Sequence, residues 1–335
     1  MRALCVSVAM LALAGCASDP MPMGGETPPL PPALAAAADL RGAYRAALCA
    51  RADMGDDGCA RTLYRFAGET PAPRPAAADA ARYRLLFVPG FMATCFPSIH
   101  SFADVADAAR AAGFDAQVLD VGGRDGVAAS ADRLAAHLAS IPDDGRRIIV
   151  VAHSKGVVDT LELLAARPNP DPRVVAVLSV AGALQGSPLA DRLHGLYHAT
   201  LGVFPFAGCA RGAGDAVADM QPARRQRWWA RYGPRIPVPV YALVSIPELD
   251  RLSTTLLAPF GGLARTSRYN DGMLLAEGQV AAPVRLLGVV NADHITVAIP
   301  YPGNVPWVLM LSAAPFARPQ VVLAAIDVIV AETSR

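Results

Sequence analysis

Apolar residues along the chain fall into two kinds of segment, which predict different elements. Short runs that are apolar almost throughout, such as YRLLFV (83–88) and RRIIVVA (146–152), predict strands buried on both faces. Longer segments in which apolar residues recur every three or four positions, such as 101–114 and 129–141, predict amphipathic helices. Buried strands that alternate with such helices predict a mostly parallel central sheet with helices on both faces, and hence an α/β fold.

The alternation of strands and helices continues to the end of the chain. Residues 33–52 predict a helix followed by a cysteine-containing loop. Further strands are predicted at 115–121, 173–182, 238–245 and 283–290, and further helices at 154–167 and 318–332. A long insertion at about 186–235 interrupts the pattern. We therefore expect one domain over 39–335, in which this insertion forms a lid or cap.

The N-terminal segment predicts export. Residues 1–15 combine Arg2 with an apolar run too short to span a bilayer, which is typical of a signal peptide. The run ends in Leu-Ala-Gly-Cys, which resembles the lipobox of bacterial lipoproteins and implies cleavage before Cys16 and lipidation of that residue. An ordinary signal peptide is the alternative.

The lipobox resemblance has consequences for location. Ser18, two residues after Cys16, is not an aspartate, which implies sorting to the outer membrane of a bacterial cell envelope. Residues 16–38 are rich in proline and predict an extended tether between the lipid anchor and the domain.

Composition excludes one class of partner. With 53% hydrophobic and 18% charged residues, the chain can bury a large core. Its net charge is +1, and a dedicated nucleic-acid-binding protein would carry a basic excess. One local cluster is interpreted as a solvated helix face with two half-buried indoles: Arg224, Arg225, Arg227 and Arg231 beside Trp228 and Trp229.

Four cysteines lie beyond the predicted lipidation site, namely Cys49, Cys59, Cys95 and Cys209. An even number in an exported chain predicts two disulfides, for which three pairings are possible. The short loop CARADMGDDGC favours Cys49–Cys59 as a local pair, which leaves Cys95–Cys209. The spacing is not that of a zinc site.

The segment Ala152-His153-Ser154-Lys155-Gly156 joins a predicted strand directly to a predicted helix. A serine at such a junction matches a nucleophile elbow, whose strained turn requires small residues two positions before and after the serine. Ala152 and Gly156 meet this requirement, so Ser154 is a candidate nucleophile. The alternative is a serine that only caps the helix.

A serine nucleophile needs a histidine base. Three histidines follow Ser154 in the chain: His194, His198 and His294. The first two lie four apart in the insertion, whereas His294 lies just past the last predicted strand, where a loop can return it to the serine. His294 is therefore the candidate base, and His153 is expected to point away from the Ser154 hydroxyl.

The acid that would orient this base has two candidates. Asp250 follows the strand at 238–245, and Asp271 lies in Asn270-Asp271-Gly272, which also predicts a turn. Asp293, next to the candidate base, is expected to face elsewhere. The residues by themselves leave Asp250 and Asp271 open.

Five blocks in order resemble the α/β-hydrolase superfamily, and more narrowly the bacterial triacylglycerol lipases, over about residues 83–300. The blocks are the strand leading into Pro89-Gly90-Phe91, the elbow at 152–156, the GSPLAD segment at 186–191, Asn270-Asp271-Gly272, and His294. The resemblance implies an α/β-hydrolase fold with Ser154, Asp271 and His294 as a catalytic triad. It also implies an oxyanion hole formed by the backbone N–H groups of Phe91 and Lys155.

The chain departs from the lipase pattern at three positions. Pro89 replaces the usual histidine of the oxyanion loop, and Val157 replaces a frequent second glycine. Thr296 occupies the position of an aspartate that often binds calcium in those lipases, so no metal is expected.

These observations predict a serine hydrolase that cleaves carboxylic esters, either small-molecule or lipid esters, through an acyl-enzyme. It needs no cofactor. Two alternatives remain, namely an acyltransferase that uses the same triad and a non-catalytic lipoprotein of hydrolase fold that binds a lipid or a partner.

Overall fold

Apolar strands of four to seven residues form the centre of the protein, joined by one two-residue strand at the edge. The computed structural model describes residues 27–95, 100–192, 209, 215–300 and 315–334. Seven strands lie within these ranges: β1 (Ala38–Asp39), β2 (Tyr83–Val88), β3 (Asp115–Val118), β4 (Arg147–His153), β5 (Val174–Val180), β6 (Val240–Ser245) and β7 (Arg285–Val290). They form one sheet in the order β1-β7-β6-β5-β4-β2-β3, and every neighbouring pair is parallel.

Helices connect most of these strands. The described helices are α1 (Pro32–Ala35), α2 (Arg41–Cys49), α3 (Gly55–Thr62), α4 (Ala103–Ala111), α5 (Val127–Ser140), α6 (Lys155–Leu161), α7 (Asp215–Ala218), α8 (Pro222–Tyr232), α9 (Leu257–Ala264) and α10 (Arg318–Thr333). A π-helical turn at Glu162–Ala166 extends α6, and residues 188–192 are also helical. Short 3₁₀ turns occur at Ala80–Arg82, Gly233–Arg235, Leu249–Arg251, Thr254–Leu256 and Ala276–Gln279.

The hydrophobic core has two layers, one on each face of the sheet. Alternate residues of one strand point to opposite faces, so Leu85 and Phe87 of β2 enter one layer and Leu86 and Val88 enter the other. The first layer contains residues of α2, α4 and α10, and the second contains residues of α5 and α6. Because each face is covered, the strands are apolar throughout, which confirms the predicted α/β fold.

The register of the sheet places the carboxyl ends of β2, β4 and β5 side by side. Val88, the last residue of β2, pairs with Ala152 of β4, and His153 pairs with Val180, the last residue of β5. Loops that follow these strands therefore start beside one another. In parallel sheets of this kind, ligands bind at the carboxyl ends of the strands.

Residues 27–38 pack against the domain, although they were predicted to belong to the extended tether. Leu34 is fully buried in the layer that contains Tyr64 and Phe66, and the N–H of Ala67 donates to the carbonyl oxygen of Pro28 at 2.9 Å. β1 then pairs with β7, a pairing that its sequence does not predict because it has no apolar run. The packed body thus begins before residue 39, while residues 1–26, including Cys16, lie outside the described residues.

The predicted insertion lies between β5 and β6. Its residues 193–208 and 210–214, including His194 and His198, lie outside the described residues. In α8, Trp228 and Trp229 are partly buried as predicted, but Arg225 is buried with its guanidinium 4.4 Å from the centre of the Trp228 ring. The prediction of a solvated arginine face is therefore wrong for Arg225, because that residue lies on the side of α8 that faces the domain.

Both predicted disulfides are present. Cys49–Cys59 joins α2 to α3 with a Cα–Cα distance of 5.2 Å. Cys95–Cys209, with a Cα–Cα distance of 4.6 Å, joins the loop after β2 to the insertion. None of the helices in the described part of the chain is both long and apolar enough to cross a membrane.

Candidate active site

Ser154 occupies a strained turn between β4 and α6. Its backbone has φ +54° and ψ −123°, a conformation that residues other than glycine rarely adopt. Gly156 permits this turn, because a Cβ at that position would lie 2.5 Å from the carbonyl oxygen of Pro89 and 2.6 Å from that of Val88. The Ser154 side chain makes no capping hydrogen bond to α6. The serine therefore does not serve as a helix cap.

The loop after β2 lies directly against this turn. A Cβ at Gly90 would be 2.9 Å from the Cβ of Ser154, so only glycine permits so close an approach. Phe91, which directly follows Gly90, is half-buried, and Lys155, which directly follows Ser154, begins α6. The two predicted oxyanion residues are therefore the residues that directly follow Gly90 and Ser154. They come after the carboxyl ends of two neighbouring strands, β2 and β4.

The imidazole of His294 contacts Ser154. Its Nε2 lies 2.8 Å from the Ser154 Oγ, although the two residues are 140 positions apart in the chain. His294 lies in the loop after β7, and its backbone N–H donates to the carbonyl oxygen of Asp271 at 3.0 Å. The side chain is largely buried, with 7% of its surface exposed.

Asp271 lies on the opposite side of this imidazole. Its Oδ2 is 2.7 Å from the Nδ1 of His294, and its Oδ1 accepts hydrogen bonds from the backbone N–H groups of Met273 and Leu274 at 2.8 and 2.7 Å. A carboxylate can only accept, so the proton lies on Nδ1 and leaves Nε2 free to accept from the Ser154 hydroxyl. The structure thus brings together Ser154, His294 and Asp271.

Two other aspartates do not occupy this position. Asp250 is exposed in the 3₁₀ turn Leu249–Arg251. Asp293 faces away from the imidazole, as predicted, and accepts hydrogen bonds from the N–H groups of Ser253, Ile295 and Thr296. Its carboxylate shapes the turn that carries His294. Within the described ranges, no cluster of three or more metal-ligating side chains comes together.

Two contacts around the imidazole were not predicted from the sequence. The Nε2–H of His153 donates to the backbone carbonyl oxygen of His294 at 2.9 Å, and the two rings are 4.7 Å apart. Burial, and then the proximity of His294, hold the pKa of His153 well below its ordinary value, so this ring is neutral. Gln279 contacts Asp271, and nothing in the segment AEGQVAAP marks that residue as special.

A buried ion pair lies within α6, the helix that begins directly after Ser154. The Lys155 ammonium contacts both carboxylate oxygens of Asp159 at 2.8 and 2.9 Å and donates to the Ser130 hydroxyl at 3.0 Å. Burial raises the pKa of Asp159 to about 6, and the Lys155 ammonium opposes this rise. The Lys155 side chain is thus held in the interior, away from solvent.

Comparison with solved structures agrees with this fold. The metagenomic carboxyl esterase MGS0156 superposes with a TM-score of 0.82 and 31% sequence identity, over 92% of this chain and 96% of the esterase. The mature lipase BlEst2 of Bacillus licheniformis is 22% identical over 67% of this chain and 89% of its own, with a TM-score of 0.51. EstA from Clostridium botulinum is 12% identical over 79% of this chain and 92% of its own, with a TM-score of 0.56.

The likenesses to BlEst2 and EstA show the fold alone, because their sequence identities are low. The likeness to MGS0156 extends over 92% of this chain and 96% of the esterase. No family model and no curated protein matches the sequence. The chain belongs to the α/β-hydrolase superfamily, among its carboxylic ester hydrolases.

Proposed function

We propose that the protein hydrolyses carboxylic esters through an acyl-enzyme formed on Ser154, with His294 as general base and Asp271 as its orienting acid. The observation that carries the proposal is the unbroken hydrogen-bond chain from the Ser154 Oγ to the His294 Nε2 (2.8 Å) and from the His294 Nδ1 to the Asp271 Oδ2 (2.7 Å). This chain has the donor and acceptor order that nucleophilic activation of a serine requires.

In the first step, the Ser154 Oγ attacks the ester carbonyl carbon while His294 Nε2 accepts the hydroxyl proton. The tetrahedral intermediate then collapses, the carbon–oxygen bond to the leaving alcohol breaks, and the imidazolium returns its proton to that alcohol. Water attacks the resulting acyl-serine by the same route, which releases the carboxylic acid and restores Ser154. Asp271 stabilises the imidazolium in both steps.

The tetrahedral intermediates carry negative charge on the former carbonyl oxygen. We propose that the backbone N–H groups of Phe91 and Lys155 bind this oxygen. Support comes from the close approach of Gly90 to Ser154 and from the position of Lys155 at the first residue of α6, where the helix dipole favours negative charge. In comparable sites, one such donor contributes about 3 to 4 kcal/mol to the stability of the transition state.

The acyl side of the substrate is proposed to be apolar. Ile295, which directly follows His294, packs with Leu252, Leu256 and Phe260, and Met273 adjoins the same cluster from the Asp271 loop. An apolar cluster beside the loops of His294 and Asp271 favours an ester with a hydrocarbon chain over a charged one. The insertion is proposed to cover this region, since Cys95–Cys209 ties it to the loop that carries Phe91.

The protein is further proposed to be a lipoprotein of a bacterial cell envelope, anchored through Cys16 and sorted to the outer membrane. The Leu-Ala-Gly-Cys sequence after a short apolar run supports this. Metabolic labelling with a palmitate analogue tests it: wild-type protein should be labelled in the membrane fraction, and Cys16→Ser should be unlabelled. Equal labelling of both forms would contradict the anchor.

The hydrolytic mechanism is tested with nitrophenyl esters of increasing acyl length. We expect Ser154→Ala and His294→Ala each to lower kcat by roughly 10⁴-fold or more, with folding unchanged. A fluorophosphonate should label the wild-type protein and not Ser154→Ala. Hydrolysis at the wild-type rate by both variants would refute the mechanism, and ester products formed in the presence of added alcohols would favour acyl transfer over hydrolysis.

A further inference from the structure

Gln279 is a fully buried residue, and the polar atoms of its side-chain amide contact the backbone of Ser245 and the carboxylate of Asp271. It ends the 3₁₀ turn Ala276–Gln279, and none of its surface is exposed. Its Oε1 accepts from the backbone N–H of Ser245 at 2.8 Å, and its Nε2 donates to the carbonyl oxygen of Ser245 at 3.1 Å. The second Nε2 hydrogen donates to the Oδ2 of Asp271 at 3.2 Å.

These partners determine which way the amide faces. The Ser245 N–H can only donate, so Oε1 must lie opposite it, and Nε2 must then face the two acceptors. Ser245 is the last residue of β6, in the middle of the sheet, and it pairs with Val290 of β7. Gln279 therefore connects the Asp271 carboxylate to the end of a strand that is paired on both sides.

The two oxygens of Asp271 have different surroundings. Oδ1 is held by two backbone N–H groups, from Met273 and Leu274, whereas Oδ2 is shared by the imidazole of His294 and the amide of Gln279. A neutral donor on Oδ2 restricts the rotation of the carboxylate and so holds Oδ2 in the direction of the imidazole.

We propose that Gln279 is a positioning residue for the hydrolytic reaction, acting through Asp271. This inference rests on the proposed function, because it concerns how the acid supports the imidazolium of His294. The imidazolium forms only when the Ser154 Oγ, or water in the second step, attacks the carbonyl carbon. Binding of the substrate does not require the imidazolium. Gln279 should therefore affect kcat and leave KM almost unchanged.

Gln279→Met tests this role because methionine keeps the length of the side chain and removes the amide. We expect kcat to fall about tenfold and KM to stay within about twofold of wild type. The fall in kcat follows from the positioning role, because without the amide donor the Oδ2 of Asp271 is free to rotate away from the imidazole of His294.

Gln185 offers a matched control. Its Nε2 donates to the carbonyl oxygens of Glu277 and Val280 at 3.1 and 2.6 Å, so it supports the same 3₁₀ turn without a contact to the triad. Gln185→Met should lower the melting temperature to a similar extent and leave kcat at its wild-type value. Gln279→Asn, whose amide is too short to reach Ser245 and Asp271 together, is a second variant that keeps a polar group in the site.

Three results would be decisive. A wild-type kcat in both Gln279 variants would overturn the inference, as would an equal fall of kcat in Gln279→Met and Gln185→Met. A fall in kcat with an almost unchanged KM that is confined to the Gln279 variants supports it. Ser154→Ala is measured in parallel, because wild-type hydrolysis by that variant would refute the proposed function itself, whatever the Gln279 variants do.

Discussion

The Nε2–H of His153 donates to the backbone carbonyl oxygen of His294 at 2.9 Å, so the residue beside Ser154 holds the loop that carries His294. His153 is buried at the end of β4, between the ring of Phe102 and the ring of His294. This bond links the two loops that meet at the triad. Burial, and not this hydrogen bond, keeps the His153 imidazole neutral.

Replacing His153 should therefore weaken both stability and activity. His153→Leu leaves the carbonyl oxygen of His294 without its donor, which we expect to cost about 1 to 3 kcal/mol in the free energy of unfolding. Activity should fall, because the His294 loop loses one of its supports. His153→Gln, which keeps a donor, should recover part of both losses. Urea unfolding and ester hydrolysis measure the two effects, and a His153→Leu protein as stable as wild type would contradict the role.

The depressed pKa of His153 also makes stability depend on pH. Because the folded pKa lies well below the ordinary value of 6.5, the unfolded chain binds a proton that the folded protein excludes. The free energy of unfolding should thus fall as the pH drops below about 6.5, by up to about 1.4 kcal/mol per pH unit from this group. Urea unfolding at pH 7.5 and 5.5 should show a smaller decrease for His153→Gln than for wild type. An equal decrease would contradict the assignment.

Asp271 and Asp250 can be separated by one substitution each. Asp271→Asn should lower kcat by about 10⁴-fold, because an amide cannot stabilise the imidazolium and favours the wrong tautomer of His294. Asp250→Asn changes an exposed residue and should have the kcat of wild type. The measurement is steady-state hydrolysis of one nitrophenyl ester by both variants. Loss of activity in Asp250→Asn alone would reverse the assignment of the acid.

The buried pair of Lys155 and Asp159 should show strong coupling. Lys155→Met leaves the carboxylate buried without its cation, which costs about 3 to 5 kcal/mol in comparable proteins. The double variant Lys155→Met/Asp159→Leu replaces the pair by apolar side chains and should regain most of that loss. Urea unfolding of the two single variants and the double variant measures the coupling. Additive losses would show that the pair does not act as a unit.

The two disulfides should differ in their effects. Cys95–Cys209 closes a separation of 114 residues and Cys49–Cys59 one of 10, so chain entropy gives stabilisations of about 4.8 and about 2.7 kcal/mol. Only Cys95–Cys209 adjoins the loop of Phe91. We expect Cys95→Ala/Cys209→Ala to lower both stability and kcat, and Cys49→Ala/Cys59→Ala to lower stability with kcat unchanged. Equal kcat values in both double variants would show that Cys95–Cys209 does not support the active site.

Much of the fold followed from local patterns. The wholly apolar runs of β2 and β4 are typical of strands covered on both faces, and the structure has these strands within one residue of the predicted bounds. β1 could not be predicted, since two residues without an apolar run form a strand only because β7 offers them free backbone groups. The buried position of Arg225 was missed for a related reason, because an isolated arginine cluster does not reveal which side of its helix meets the domain.

The sequence by itself determined the class of fold, the elbow at Ser154 and the candidate base His294, because small residues around a strand–helix junction and the position after the last strand are local features. It left Asp271 and Asp250 open until resemblance to known lipases favoured the former. Only the tertiary structure brought Asp271 to 2.7 Å from His294 and joined His153 and Gln279 to them. Those contacts connect loops from different strands, and their geometry depends on how the whole sheet aligns the strand ends.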